Sequence, residues 1–251
     1  MLTYTTDGPI AWVVIDRPER MNAMPRPFWA RLREVMDRAD ADPEVRVVVF
    51  RGAGRCFSVG GDIEGFAEIG DVADRRAYLD DAMAAFRAVE NASVATIAAV
   101  HGYALGGGCE LTLVCDIVVA DETARFGMPE AAVGLVPGLG IVRGHAHLNL
   151  HWMKYLVLTG ESLGAQDARI AGLVNEVVPE GEHVARAEEL ARKVAAKAPL
   201  AVAVGKRVLG RDRDEGFGYG VEAVALLQGT ADHAEGIAAF GERRTPRFEG
   251  R

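Results

Sequence analysis

An α/β fold whose sheet is covered on both faces over much of its extent is predicted by three observations. Strand-like and helix-like patterns alternate through the first half of the chain, residues 94–100 form a continuously apolar run, and that run breaks at Gly106, Gly107 and Gly108 ahead of an apolar segment of helical character. A strand with no polar face needs cover on both sides. An apolar helix that follows three glycines offers unpaired N–H groups in its first turn.

Taken in order, residues 2–5 and 10–15 read as two strands, and Asp7 and Gly8 between them as the turn of a hairpin. Arg17 and Pro18 end it. Pro25 and Pro27 lie near the start of a helix whose apolar positions Phe28, Leu32, Val35, Met36 and Ala39 recur at three and four, and which stops before Pro43. Residues 45–50 form the next strand, followed by a turn at Gly52 and Gly54. In CFSVGGDI, residues 56–63, Gly60 and Gly61 interrupt what would otherwise be a buried strand. Residues 64–76 are polar and broken by Gly65, Gly70 and Asp71, a stretch expected to border a pocket. Helical spacing returns over 75–89 and leads into the strand before the glycines.

Beyond Asp116 come a short strand over 117–120 and a turn-rich stretch over 122–140. The spacing predicts helix over 141–159 and a last short strand over 173–178. After Pro179 the chain is almost wholly helical to Phe240, with boundaries at Pro199 and Gly210. Such a shift in composition marks a C-terminal helical region suited to docking or oligomerisation.

Several function classes fit poorly. The 251 residues carry a net charge of -8 and no basic block, which argues against a nucleic-acid surface. Neither a membrane-spanning apolar stretch nor a targeting segment is apparent, so the expectation is a cytoplasmic protein with no membrane partner. Cys56, Cys109 and Cys115 lie in or beside apolar runs and read as buried free thiols. His145, His147 and His151 are spaced by two and four, which does not bring all three to one helical face, so no metal site is expected there. Gly138, Gly140 and Gly144 only superficially resemble a dinucleotide fingerprint, since they follow a loop and the third glycine comes one residue late. No serine sits in a nucleophile-elbow pattern, and Cys109 has no local histidine. Two carboxylates among apolar neighbours, Glu110 and Glu130, keep a stronger claim to chemistry.

The stretch HGYALGGGCEL, residues 101–111, resembles the signature of the crotonase family, the enoyl-CoA hydratases and isomerases. The likeness continues in IDRPERMNAM at 15–24, CFSVGGDI at 56–63, ARFGMPEAAVGLVPG at 124–138, LTGESLGAQDARIAGLVNEVV at 158–178 and EGIAAFGERRTPRF at 235–248. It implies a crotonase-like spiral of ββα units over residues 1–195, followed by a helical C-terminal oligomerisation region over 196–251. It further implies a homotrimer or a dimer of trimers, with residues 215–240 among the intersubunit elements.

Carried over residue by residue, the resemblance makes Gly61 and Gly107 the backbone donors of an oxyanion hole for a thioester carbonyl. This agrees with a helix N-terminus at Gly107. Glu110 and Glu130 become the acid/base pair that activates one water and moves the proton at the α-carbon, Glu110 the more base-like and Glu130 the more acid-like. Coenzyme A is expected as part of the substrate against Arg20, Met21, Ala23, Gly60, Asp62 and Ile63. Its phosphates would be met by Arg17, Arg20 or a C-terminal lysine, and no other cofactor is implied.

Both glutamates together favour hydration of a 2-enoyl-CoA. Double-bond isomerisation and a non-catalytic acyl-CoA binding or assembly role are the alternatives. One departure stands out: after VPGLG the family commonly continues GTQRL, whereas this chain has IVRGHAH at 141–147. Either the acyl pocket and its water are altered there or the helix is repacked.

Overall fold

In the computed structural model, which describes residues 1–66, 69–209 and 217–247, the hairpin forms as expected. Strand β1 (Leu2–Asp7) turns at Gly8, φ +53°, into antiparallel β2 (Ile10–Ile15). Helix α1 (Pro27–Ala41) follows and buries the predicted stripe of Phe28, Leu32, Val35, Met36 and Ala39, together with Trp29. Strand β3 (Val47–Gly52) begins two residues later than the sequence suggests, because the N–H groups of Arg46 and Val47 are both taken by the Pro9 carbonyl. After the short α2 (Ile63–Phe66), Asp71 caps α3 (Val72–Asn91) by accepting from the Asp74 N–H. The helix therefore starts three residues earlier than its apolar spacing indicates.

The apolar run is β4 (Ala95–Val100), followed by β5 (Tyr103–Leu105), α4 (Gly107–Val114), β6 (Ile117–Asp121) and β7 (Arg125–Gly127). Six strands form one sheet once β9 is included, and the order along it is β1-β2-β3-β4-β6-β9. Strands from β2 onward pair in parallel. In β3, Val48 and Phe50 enter the main core while Val47 and Val49 enter a second core on the opposite face. Ala187 and Ala191 of α8 (His183–Ala195) cover that second face. Burying each such valine or phenylalanine contributes about 1.5–3 kcal/mol, which is why a strand without a polar face is stable only inside two layers.

A smaller sheet of β5, β7 and β8 (Ser162–Gly164) escaped the sequence reading, since three-residue strands carry too little periodicity to register. Three corrections concern the chain beyond Glu130. The predicted single helix over 141–159 is broken into α5 (Gly140–Arg143), one further tight turn, and α6 (Leu150–Thr159), which restarts where the Asn149 side chain accepts from the His151 and Trp152 N–H groups. Helix α7 (Ala165–Ala171) was not anticipated, and the last strand is only β9 (Glu176–Val178). Residues Leu173 and Val174 instead donate to the Ala168 carbonyl at the end of α7.

The C-terminal region is helical, with α9 (Pro199–Leu209), α10 (Phe217–Gln228) and α11 (Ala231–Glu242). Thr230 caps α11 and adds a boundary that the sequence reading lacked. The boundary expected at Gly210 lies outside the described residues, as do Glu215 and Gly216 of the expected intersubunit stretch. Helix α11 packs tightly on the turn Pro129–Val133: a Cβ on Gly236 would come within 2.6 Å of Val133, and one on Gly134 within 2.7 Å of His233. The turn that carries Glu130 is thus fixed from the C-terminal side. Among the described residues no helix is long and apolar enough to cross a membrane.

Asn22 ties the loop before α1 to the stretch before the site. It is fully buried at φ +59°, and its side-chain amide donates to the carbonyls of Ala53, Cys56 and Phe57. Asn22→Ala should lower stability by roughly 3 kcal/mol, through unpaired buried carbonyls and a left-handed backbone that alanine tolerates poorly. Chemical denaturation measures this, and an unchanged midpoint would refute it.

Candidate active site

Three chain segments are brought to one place by backbone alone. The Met24 N–H donates to the Gly60 carbonyl at 2.8 Å, and the Asp62 N–H to the Met24 carbonyl at 3.1 Å. This pairing passes over Gly61, whose own N–H donates to nothing among the described residues. Gly107 opens α4 and its N–H is likewise unpaired, since no carbonyl lies one turn before it. The two segments are in close contact. Gly60 has φ +88°, and a Cβ there would lie 2.6 Å from the Leu105 carbonyl oxygen and 2.8 Å from the Gly107 nitrogen. A Cβ on Gly107 would sit 3.7 Å from the Gly61 nitrogen. Two free backbone donors close together on rigid glycines suit a developing oxyanion.

Glu110 lies in the first turn of α4, 6 % exposed, with its N–H bonded to the Gly106 carbonyl. Its Oε1 accepts from the N–H groups of Leu139 and Gly140 at 2.7 and 2.8 Å, at the start of α5. Burial pushes the Glu110 carboxyl above its ordinary value, and these two backbone donors oppose the shift by favouring the charged form. Glu130 sits in the turn Pro129–Val133 with its Oε2 buried and unpaired. Burial, and next the Glu110 charge, raise its pKa to about 8. The two titrate together, so a single proton shared by the pair describes them better near neutral pH than two separate values.

Both carboxyls border a cavity of about 210 Å³, together with Gly61, Gly106 and Gly107. Its remaining wall is mostly apolar: Trp29 from α1, Phe66 from α2, Tyr78, Leu79, Met83 and Phe86 from α3, and Val224, Gln228 and Phe240 from the C-terminal helices. Phe66 falls in the stretch 64–76 that the sequence places beside a pocket, but sequence reading missed the others, because nothing in an apolar helical stripe distinguishes a pocket-facing side chain from a core one. It missed Leu139 and Gly140 for a different reason. By its spacing the glycine-rich VPGLG stretch reads only as a poor dinucleotide fingerprint, whereas its glycines serve the carboxylate: Gly140 donates to Glu110 and Gly138 borders the cavity.

Of the residues expected to meet coenzyme A, Gly60 and Ile63 lie at the cavity or directly behind it, and Arg20, Met21 and Ala23 run alongside them in the loop held by Asn22. Asp62 is paired with Arg17 at 2.6 Å, and Arg20 with Glu64 at 2.9 Å. Among the C-terminal lysines, Lys206 is paired with Asp116 at 2.9 Å and donates to the Val89 and Val94 carbonyls, so its ammonium is already engaged within the fold.

The departure at 141–147 contributes nothing to the cavity lining. Ile141 points outward, Arg143 is buried and paired with Glu90 of α3 at 3.0 Å, and a Cβ on Gly144 would collide with Met153. It is a repacking behind the segment that anchors Glu110. All three cysteines are free and buried. Burial and then the Glu130 and Glu110 charges raise the Cys109 thiol far above neutrality, which removes it as a nucleophile. Among the described residues no cluster of histidine, cysteine, aspartate and glutamate could hold a metal.

Such a site, with two buried carboxyls beside unpaired backbone donors in an apolar cavity, defines a class of proteins suited to moving protons next to a carbonyl whose oxygen gains charge. Comparison with known proteins narrows this. A family model described as enoyl-CoA hydratase/isomerase matches residues 5–251. The chain is 37 % identical over 248 residues to the 2,3-dehydroadipyl-CoA hydratase of Escherichia coli, covering 95 % of this chain and 94 % of that protein. It is 35 % identical to the short-chain-enoyl-CoA hydratase of Clostridium acetobutylicum, covering 95 % and 93 %. A crystal structure of an enoyl-CoA hydratase from Mycobacterium avium subsp. paratuberculosis superposes with a TM-score of 0.90 at 28 % identity, covering 99 % of this chain and 98 % of that one. The chain belongs to the enoyl-CoA hydratase/isomerase family and has the crotonase fold.

The raised Glu130 pKa makes a stability prediction of definite sign. Between its ordinary value and about 8 the folded state holds a proton that the unfolded chain releases, so this stabilisation is full below about pH 4.5 and is lost as pH rises towards 8. In Glu130→Gln the amide at this position cannot titrate. Relative to this variant, the unmodified protein should lose on the order of a few kcal/mol between about pH 5 and about pH 8.5. Denaturant titrations at both pH values give the difference, and a constant difference would mean that the shift is absent.

Proposed function

We propose that the protein hydrates the 2,3 double bond of a 2-enoyl-CoA thioester, and in reverse dehydrates the 3-hydroxyacyl-CoA. The observation that carries this reading is the pair of unlike carboxyls at one cavity. Glu110 has two backbone donors that favour its charged form, while Glu130 has a buried oxygen without a partner and a pKa near 8. Hydration needs one group that takes a proton and one that gives it.

In this reading the thioester carbonyl accepts from the Gly61 and Gly107 N–H groups. Ionised Glu110 takes a proton from water as the water oxygen bonds to the β-carbon. The π electrons move to the thioester as an enolate, and the Glu130 carboxyl delivers its proton to the α-carbon. One water is added and one proton has passed from Glu130 to Glu110, so the pair resets by exchanging that proton with solvent. Hydride, electrons and metal-bound oxygen have no part in this sequence, and the reading therefore assigns no cofactor beyond the coenzyme A of the substrate.

Coenzyme A would lie along the paired segments 20–24 and 60–63, which run side by side at the cavity mouth. Arg17 and Arg20 would reach its phosphates by exchanging their present carboxylate partners. Assembly as a homotrimer or a dimer of trimers is part of the proposal, supported by exposed apolar side chains on the C-terminal helices, among them Leu200, Leu209 and Leu226. Cytoplasmic location accords with the acidic composition and with the use of a coenzyme A thioester.

Incubation with 2-enoyl-CoAs in heavy-oxygen water tests the reaction directly. Product should carry one labelled oxygen, and Glu110→Gln and Glu130→Gln should each lower kcat by about 100-fold to 10,000-fold. Turnover without label would replace hydration by isomerisation, and thioester binding without turnover would leave a binding role.

A further inference from the structure

Helix α5 supplies the donor at Gly140 that holds Glu110, yet it is only four residues long. A helix of that length does not keep its direction through its own hydrogen bonds, because nucleation is unfavourable and a single turn closes few of them. Its placement comes from what it packs against. At its start, a Cβ on Gly140 would lie 2.7 Å from Met128 Sδ, and just past its end one on Gly144 would collide with Met153. Both neighbours are flexible thioethers, which adapt to a rotation of the turn more readily than they resist it.

A directional anchor is provided by Arg143, the last residue of α5, which is 2 % exposed. Its Nη2 donates to Glu90 Oε2 at 3.0 Å, and Glu90 lies one residue before the end of α3. Both side chains are buried. The Arg143 N–H donates to the Leu139 carbonyl at 2.8 Å. The residue that grips α3 is thus bonded directly to a residue whose own N–H grips Glu110. A desolvated ion pair contributes little net stability, and apolar side chains of similar volume often replace it at no cost. What such a pair does supply is a fixed geometry between the elements that carry it. Arg143 also belongs to residues 141–147, where this chain departs from the usual run of the family, and the hydration sequence leaves it without a part.

We propose that the buried Arg143–Glu90 pair is a positioning pair for the acid/base site, locking α5 to α3 so that the Leu139 and Gly140 N–H groups stay aimed at Glu110 Oε1. The titratable groups that face the Glu110 carboxyl are Glu130 from the turn Pro129–Val133, Tyr78 from α3 and Cys109 beside it on α4, and none of these is a cation. The two backbone donors are therefore what favours its charged form. If α5 turns away, the proton shared by the pair moves from Glu130 towards Glu110, and neither the base nor the acid is left in its working form. This inference rests on Glu110 acting as the base of the proposed hydration and adds the residues that keep it so.

The test compares the purified full chain with the double variant Glu90→Leu/Arg143→Met, which removes both charges together, and with Glu90→Gln, which keeps the size of the acceptor. With but-2-enoyl-CoA the double variant should lower kcat by roughly tenfold, leave KM within about twofold, and move the acid limb of kcat/KM upward by about one pH unit. The sign follows from the donors: a weaker hold on the Glu110 carboxylate raises the pH at which it ionises. Glu90→Gln should move the limb in the same direction, and Arg143→Lys, which keeps a cation opposite Glu90, should leave it near its original position. Where a limb falls does not depend on how much of a preparation is folded, so partial misfolding does not imitate the shift. If the double variant does not fold, Glu90→Gln decides alone. An acid limb that stays in place, a change in KM alone, or a limb displaced as far by Arg143→Lys as by the double variant would overturn the proposal. Should the unmodified protein hydrate no 2-enoyl-CoA, the hydratase reading fails separately. The carboxyl carbon-13 resonance of Glu110, identified by its loss in Glu110→Gln, then decides the present one: a titration midpoint raised in Glu90→Gln upholds it, and an unchanged midpoint overturns it.

Discussion

The constraint on which the rest of the structure depends is the burial of two carboxyls in one apolar cavity. Both cannot be charged there at neutral pH without a large penalty, and the protein settles the conflict by treating them differently. Glu110 is given two backbone donors by Leu139 and Gly140, and Glu130 is given none at Oε2. Many features of the surrounding chain are consequences. Helix α4 must begin at Gly107 to set Glu110 in its first turn, and α5 must begin at Gly140 to aim N–H groups at the carboxylate. Helix α11 must approach closely enough to hold the turn that carries Glu130, which is why Gly134 and Gly236 lie at that contact.

The N–H groups of Gly61 and Gly107 obey the same economy of backbone groups. A buried N–H is normally paired, so leaving two unpaired requires a scaffold that denies them partners without collapsing onto them. Pairing between Met24 and the residues on either side of Gly61 does this for one donor, and a helix N-terminus does it for the other. Asn22 and Ser58 hold the approach. The Ser58 hydroxyl donates to the Asn22 carbonyl and accepts from the Gly60 N–H, while Asn22 spans three carbonyls of the neighbouring stretch.

This division explains which features were legible in the sequence. The hairpin, α1, the two-faced β3 and β4, and the helix after the glycines all announce themselves through turn residues or through periodicity sustained over six or more residues. So do Gly107 and Glu110, since three glycines and a carboxylate within an apolar stretch break a local rule that folding alone would keep. Asn22 was hidden because its importance lies in a left-handed backbone and three long-range bonds, neither of which leaves a periodic trace. The break at residues 144–149 was hidden because the apolar spacing of 141–159 continues across it, while Arg143 turns inward to Glu90 rather than outward as a charged helix residue would.

The two sides of the cavity are built differently. The wall that carries Gly61, Gly107 and Glu110 rests on glycine-rich segments, where a Cβ at Gly60 or Gly108 would strike backbone at 2.6 or 2.5 Å. The far wall is built from side chains of α3 and α10, two packed helices that approach through Ala, Val, Met and Leu. The glycine-rich wall is the one most legible in the sequence. The opposite wall is legible only in the fold, because an apolar helical stripe does not show which of its side chains face the cavity.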